Sequence, residues 1–477
     1  MKVLLIYPEY PDTYFSFKHA LRFISKKASV PPLGLITVSA MLPSSWQKRL
    51  VDLNVSPLLS SDIEWADYVF ISAMYIQKES VSEIIEKCTK HEVTIIAGGP
   101  LFTHEYGSYP QIDHFILNEA EITLHTFLKD MENGKALKKI YKTAGFPDIS
   151  LSPVPDYHLL SRKDYASVNI QISRGCPFSC DFCEIPSLLG HKVRLKETFQ
   201  IIKELDTLYH LNWRGSVSIV DDNFIGRKKH KYPFIFNVQT TLDIADDDEL
   251  ISLMVQAGIN TTFIGIETPS EQSIDECNKV QNKNRDMLQC VKKIQKAGLQ
   301  VSGGFILGFD SDTPAVFQQQ IDFIQQSGIV WAMVGLLNAP KNTRLYERLE
   351  AENRLTVEAT GSNTDYTMNF IPKMDSQELM KGYKTIIHSI YSAKPYYKRI
   401  RQFLINYKPA NKGQTRIEWY YLSAFFKSVF TIGIMTKGRR EYWKFFAWTL
   451  LNRPRLFLDA SMFTICGYHF RKVYRIT

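Results

Sequence analysis

The chain is predicted to be an α/β protein in three parts: a Rossmann-like N-terminal domain, a partial TIM-type (β/α) barrel and a mostly helical C-terminal region. Three observations predict this. Short, continuously apolar runs alternate with segments of helical periodicity, a proline-rich connector interrupts them at 146–157, and the strand pattern fades past about residue 345. A length of 477 residues exceeds one ordinary core, so several domains are expected. The boundaries fall at 1–145, 160–345 and 346–477.

In the first part, 3–7, 68–72, 93–97 and 114–117 read as strands rich in Val, Ile and Phe, and 80–90 has helical spacing. Strands apolar at every position are covered on both faces, the signature of a parallel sheet between helices. Ligands of such sheets sit at the C-terminal strand ends. Here those ends carry Pro8-Glu9, Ser72-Ala73-Met74, Gly98-Gly99-Pro100 and Asn118-Glu119-Ala120-Glu121. Glycine lets a backbone approach a large ligand closely, yet glycine turns after strands are common, so this pattern alone leaves ligand binding open.

The connector carries Pro147, Pro153 and Pro155. After it, 168–173, 216–220, 234–238, 262–266, 301–307 and 330–336 read as strands. Helices at 198–209, 247–256, 285–297 and 315–326 fall between most of them, which is the repeat of a parallel barrel.

Cys176, Cys180 and Cys183 fall in the loop after the first barrel strand, within Ser173-Arg174-Gly175-Cys176-Pro177-Phe178-Ser179-Cys180-Asp181-Phe182-Cys183. Cys88, Cys277, Cys290 and Cys466 are scattered. Three clustered thiols in a long chain suit a metal site in a reducing compartment better than a disulfide scaffold. Thiolates favour iron–sulfur clusters or zinc. A cubane held by three cysteines keeps one iron open for a chelating substrate or cofactor. The alternative is a structural zinc site with His191 as fourth ligand, although zinc sites favour paired Cys-x-x-Cys spacings.

The triplet, with Phe182 in its aromatic position, resembles the signature of the radical S-adenosylmethionine superfamily. Asp221-Asp222-Asn223 at the end of the second barrel strand, Gly265-Ile266-Glu267 and Gly303-Gly304-Phe305-Ile306-Leu307-Gly308-Phe309 resemble further motifs of it. The resemblance implies a 4Fe–4S cluster on the three cysteines and S-adenosylmethionine chelated to the open iron. Phe182, Asp221, Asp222, Asn223, Gln239, Gly265 and Glu267 would contact the S-adenosylmethionine. One electron, from a donor such as a flavodoxin or ferredoxin, would cleave it to a 5′-deoxyadenosyl radical that abstracts hydrogen from substrate. Barrel walls would shield that radical.

A Rossmann-like domain ahead of such a barrel resembles the cobalamin-binding class. Pro31-Pro32-Leu33-Gly34-Leu35 and Ala97-Gly98-Gly99-Pro100 match segments typical of it, so Gly98, Gly99 and Pro100 are the expected cobalamin contacts. The Asp-x-His-x-x-Gly motif is absent, which implies binding without a lower histidine ligand. Val220-Asp221-Asp222-Asn223-Phe224, Asp246-Asp247-Asp248-Glu249-Leu250, Phe263 to Pro269 and the C-terminal Gly438-Arg439-Arg440-Glu441-Tyr442-Trp443 and Gly467-Tyr468-His469-Phe470 resemble the group that includes the hopanoid methylases. That implies methyl transfer from methylcobalamin to an unactivated carbon of a small or lipid-like substrate. A radical cyclisation or oxidation without methyl transfer is the alternative. A third reading is a degenerate, non-catalytic member, because only 224–233 separate two barrel strands where relatives carry a helix.

Net charge is +8 and unevenly placed. Residues 401–477 hold 14 Lys/Arg against three Asp/Glu, or +11, and 18 aromatics, leaving the rest at −3. These aromatics could be core covering the barrel, or an interfacial membrane contact with basic groups toward anionic lipid. Their density of apolar surface argues against a nucleic-acid stacking platform. No signal-peptide pattern or stretch of roughly 18 apolar residues is present. The expected location is cytoplasmic, with membrane association open.

Overall fold

The computed structural model describes residues 1–221, 234–357, 360–362, 364–409 and 419–476. Two compact units divide the chain. The first holds Met1–Pro11, Lys27–Pro177 and Ile185–Gly215; the second holds Asp12–Lys26, Phe178–Glu184 and Ser216–Thr477.

The first unit is built on a parallel sheet of six strands. These are β1 (Lys2–Tyr7), β2 (Gln47–Asp52), β3 (Tyr68–Ser72), β4 (Thr94–Gly98), β5 (His114–Ile116) and β6 (Ile140–Tyr141). Their order is β2-β1-β3-β4-β5-β6, with the direction of winding reversing between β1 and β3. Side chains alternate between the faces of a strand, and here both sets are apolar. Leu4, Ile6, Val69, Ile71 and Ile95 pack on one face with Val81, Ile84, Ile85 and Cys88 of the Lys78–Lys90 helix. Val3, Leu5, Phe70 and Ile96 pack on the other with Leu35, Leu124 and Phe127 of the helices Leu33–Met41 and Ala120–Glu132. The doubly covered sheet expected from the continuous apolar runs is therefore present. The sequence reading omitted β2 and β6. Strand β2 is Gln-Lys-Arg-Leu-Val-Asp at the sheet's edge, largely polar because only its last two residues are buried.

This unit also contains β7 (Ser167–Ile170), buried at all four positions, and the two-residue strands β8 (Ser173–Arg174) and β9 (Arg194–Leu195), which pair antiparallel. In the second unit β10 (Ser216–Ile219), β11 (Ile235–Thr240), β12 (Ile259–Glu267), β13 (Gln300–Leu307) and β14 (Ala332–Leu336) run parallel, side by side in chain order. The helices Asp248–Gln256, Met287–Ala297 and Ala315–Ser327 alternate with them, as the barrel reading requires. Asp247 and Asp286 cap the first two by accepting from Leu250 N and Gln289 N. Residues 224–233, where the short crossover was noted, lie outside the described residues.

The C-terminal helices cover the far strand of this sheet. Tyr383 and Tyr391, from the helix Ser376–Tyr391, donate to the Val334 and Ala332 carbonyls of β14 at 3.1 and 2.7 Å. Strand edges exposed to water invite unwanted pairing, and these hydroxyls occupy that edge. Arg399 is wholly buried, donates to the Ile390 carbonyl at 2.8 Å and faces the rings of Tyr391 and Tyr396. Tyr396, Tyr397, Phe403, Tyr442, Phe445, Phe463 and Phe470 are buried too, so much of the aromatic tail is core.

Candidate functional site

The cysteine loop begins at β8 and is held by a buried ion-pair network in the first unit. Arg174, two residues before Cys176, donates to Glu119 at 2.6 Å and lies 2.9 Å from Glu121. Arg194 on β9 meets Glu119 at 2.7 Å. Burial alone would raise the Glu121 carboxyl, but Arg174 outweighs it and holds its pKa below the ordinary value. Gly175 has φ +93°, and a Cβ there would meet the Lys192 carbonyl at 2.5 Å, so glycine is required where the chain turns into the cysteines. The Cys176 N–H then donates to Gly190 O at 3.1 Å.

The remainder of the loop is fixed in the second unit. Asp181 N donates to Cys277 O at 3.1 Å and its carbonyl accepts from Leu345 N at 2.9 Å. Asn278 Nδ2 donates to Ser179 O at 3.2 Å. Phe182 packs edge-on against Phe309 and joins the apolar cluster of Cys277, Leu337 and Leu345.

Beside Cys180 stands a cluster of which the sequence reading named Glu267 and Gly265 but not Lys279, Gln281 or Asn282. Gln281 is buried and directs Nε2 to Cys180 Sγ at 3.8 Å, while its Oε1 has no partner among the described residues. Lys279, also buried, pairs with Glu267. Burial works against the lysine's charge, yet Glu267 and Cys180 outweigh it and raise its pKa. Burial raises the Cys180 thiol, and Lys279 opposes that rise. Glu267 ends β12 with φ +63°, directly after an irregularity in the pairing of β12 with β13. Asn282 holds the kink by donating to Gly265 O and Ile266 O at 3.1 and 3.0 Å. Bulges and left-handed non-glycine residues gather at functional sites because a packed surrounding must sustain their strain. A Cβ on Gly265 would collide with Glu267 and Lys279, so the glycine admits this pair.

The other expected contacts lie at or near further strand ends. Asp221 is buried at the end of β10, Gln239 is exposed on β11, and Asp222 and Asn223 lie outside the described residues. In the first unit, Gly98 and Gly99 end β4 and Pro100 opens the helix Pro100–Glu105. A Cβ at Gly98 would meet Ile116 O at 2.6 Å, and one at Gly99, whose φ is +92°, would meet Ser72 Oγ at 2.8 Å. The close approaches that demand glycine here are to the chain itself.

The donor set fits a thiolate-bound cluster. The three loop cysteines form no disulfide among the described residues and are half-buried, and Cys180 receives an N–H donor beside a cation. Among the described residues the three thiols do not form a group converging on one ion; the group that does is Asp12, His19 and His469. A cubane binds each cysteine on a different iron, so its ligands stand farther apart than those of a lone zinc ion. Cys277, nearby, is buried, points its thiol to Ile274 O at 3.6 Å and has its pKa pushed up to about 12 by burial, which suits a neutral thiol outside the ligand set.

Comparison with known proteins places these features. Residues 170–324 match the Radical SAM superfamily, and residues 343–477 match a domain of unknown function, DUF4070. The chain is 36% identical to the uncharacterized methyltransferase sll1242 of Synechocystis sp., over 98% of the chain and 91% of that protein. It is 33% identical to the hopanoid C-2 methylase of Rhodopseudomonas palustris, over 77% of the chain and 73% of that protein. The fold resembles that of the cobalamin-dependent radical enzyme OxsB solved with aqua-cobalamin and S-adenosylmethionine, with a TM-score of 0.62 at 16% identity, covering 99% of the chain and 80% of OxsB.

Proposed function

The chain belongs to the radical S-adenosylmethionine superfamily, among its methyltransferases, and from that premise we propose that it methylates an unactivated carbon of a small or lipid-like substrate with cobalamin as methyl carrier. The observation that carries this reading is the anchored, half-buried loop of Cys176, Cys180 and Cys183 with Gln281 and Lys279 beside Cys180. When bound, the cluster and S-adenosylmethionine supply the hydrogen-abstracting radical, and cobalamin supplies the methyl group.

In this reading the three cysteines hold the cluster. Gln281 donates to the Cys180 sulfur, and Lys279 offsets the negative charge of its thiolate. Phe182 closes the loop against Phe309 and keeps water from it. Glu267 is presented by its left-handed backbone at the strand end, with Asp221 at the end of β10 as a second polar contact for S-adenosylmethionine. Gly98, Gly99 and Pro100 line the C-terminal strand ends offered to cobalamin. A flavodoxin- or ferredoxin-type donor supplies the electron. Product analysis tests the whole: 5′-deoxyadenosine and S-adenosylhomocysteine must both appear with the methylated product. Deoxyadenosine with no S-adenosylhomocysteine would make the enzyme a radical cyclase or oxidase instead.

A peripheral membrane contact accompanies this reading. No helix among the described residues is long and apolar enough to cross a membrane. However, Phe426, Phe430, Ile434, Met435, Leu450 and Leu451 are all more than half exposed within one C-terminal segment. Lys427, Lys437, Arg439, Arg440 and Lys444 are exposed among them. Apolar side chains set in a basic rim suit an anionic lipid surface. Each basic group near such a surface adds about 1 kcal/mol, so binding should weaken between low and physiological salt. Flotation with anionic liposomes at two salt concentrations reads this directly, and no binding at low salt would remove it.

A further inference from the structure

Outside the cysteine loop, one side-chain cluster in the second unit has the composition and placement of a metal site. Asp12 and His19 lie in the segment Asp12–Lys26, and His469 lies in the last helix, Phe457–Val473. One ligand-capable atom from each lies within 4.8 Å of the other two. His19 Nε2 and Asp12 Oδ2 stand 2.6 Å apart. His469 is wholly buried, and its Nε2 is 3.1 Å from the Tyr14 carbonyl. A carbonyl oxygen only accepts, so Nε2 carries the hydrogen and Nδ1 keeps its lone pair. That Nδ1 is buried and has no hydrogen-bond partner among the described residues.

A buried acceptor without a partner costs about 1–3 kcal/mol and calls for an explanation. Packing does not leave the ring free to seek one elsewhere. Phe17 stacks on His469 with centroids 5.3 Å apart, and Tyr14 stacks on the neighbouring Phe470 at 4.4 Å. A histidine that donates one ring N–H to a backbone carbonyl and presents the other nitrogen is the usual arrangement of a metal ligand, the carbonyl fixing tautomer and orientation.

We propose that Asp12, His19 and His469 bind one divalent transition-metal ion of the zinc class, with His469 ligating through Nδ1. Two imidazoles and a carboxylate suit such an ion, whose bonds of about 2.0–2.2 Å require only small side-chain adjustments from the present spacing. The ion takes the place of the hydrogen bond between His19 Nε2 and Asp12 Oδ2. Asp12 is exposed, so water completes the coordination and the ion has a path of entry. It fastens the segment around Lys18–Leu21 to the final helix, which already pack together.

The test is equilibrium dialysis of the full-length holoenzyme, cluster in place, against buffered Zn²⁺. One zinc per chain is expected beyond the cluster metal, together with a higher melting temperature. The surface-side variants His19→Gln and Asp12→Asn should bind at least about tenfold more weakly and lose the thermal shift. Because neither removes the buried imidazole, they remain informative even if His469→Gln does not fold. Absence of stoichiometric zinc from the parent protein overturns the site. So does zinc binding that both variants leave unchanged, which would place the ion on other ligands such as the thiols.

Discussion

Two buried charge clusters adjoin the cysteine loop, one in each unit, and their balance differs. In the first, Arg174 and Arg194 face Glu119 and Glu121, two positive groups against two negative. In the second, Lys279 faces Glu267 with the Cys180 thiol beside it, so ionisation of Cys180 leaves two negative groups against one positive. Buried charges persist when paired. A balanced cluster completes its work by fixing the backbone. An unbalanced one retains a demand for further positive charge, which in the proposed reading the iron of the cluster at Cys180 would meet. Position along the chain would not distinguish the two; the count of charges does.

The largest expected effect lies in the unbalanced cluster. Cys180→Ala should abolish cleavage of S-adenosylmethionine, as should Cys176→Ala and Cys183→Ala, while Cys277→Ala retains it; 5′-deoxyadenosine release is the measurement. Full activity in Cys180→Ala would erase the distinction drawn between the clusters. Next comes Arg174→Met, which strands the buried Glu121 carboxylate and leaves Glu119 to Arg194 alone, and should cost about 3–5 kcal/mol by urea denaturation. Adding Glu121→Gln, with the Arg194–Glu119 pair left in place, should recover stability and activity together, since that cluster only holds structure.

Lys279→Met with Glu267→Gln sharpens the contrast. The double variant removes both charges and should fold with less than about 1.5 kcal/mol of change, yet bind S-adenosylmethionine more weakly and stay impaired. Recovery of both properties would make the second cluster as purely structural as the first. The smallest effect is pH dependence. The Glu121 carboxyl is held below its ordinary pKa. Its contribution is therefore complete above the unfolded value of about 4.3 and is lost as pH falls through the lower folded value. Melting temperatures on the acid side should decline in the parent protein and flatten in Arg174→Met, with no matching change in Lys279→Met.

Sequence alone disclosed the strands whose every position is apolar, such as Val3 to Ile6, because burial on both faces leaves no other pattern. It disclosed the cysteine loop because the spacing is local. It did not disclose β2, whose edge position lets it carry Gln47, Lys48 and Arg49 and so look like surface. Glu119 and Glu121 read as ligand-facing strand ends, because their partner Arg174 comes from a distant stretch of sequence. Lys279 and Gln281 sit in the polar run Asn278-Lys279-Val280-Gln281-Asn282, which reads as a solvated turn until tertiary packing buries it. The glycines at 98 and 99 read as an approach to a ligand, whereas the neighbours that exclude a side chain there, Ile116 and Ser72, were not legible. In the tail, the composition left core and lipid contact open; the buried tyrosines and phenylalanines place much of it in the core, and the exposed apolar segment supports the proposed lipid contact.

The assignment of Asp12–Lys26 to the same unit as the last helix has a consequence for synthesis. This segment leaves the ribosome before Phe457–Val473, the helix against which it packs. Residues 27–456 must be translated in between, which takes on the order of 20–90 s at typical rates of elongation. Throughout that interval the faces of Tyr14 and Phe17 wait without their stacking partners. The second unit is therefore completed only after Phe457–Val473 has been translated. Nascent protein arrested before residue 457 should expose the Tyr14 region to protease, and protection should appear as a late, single event.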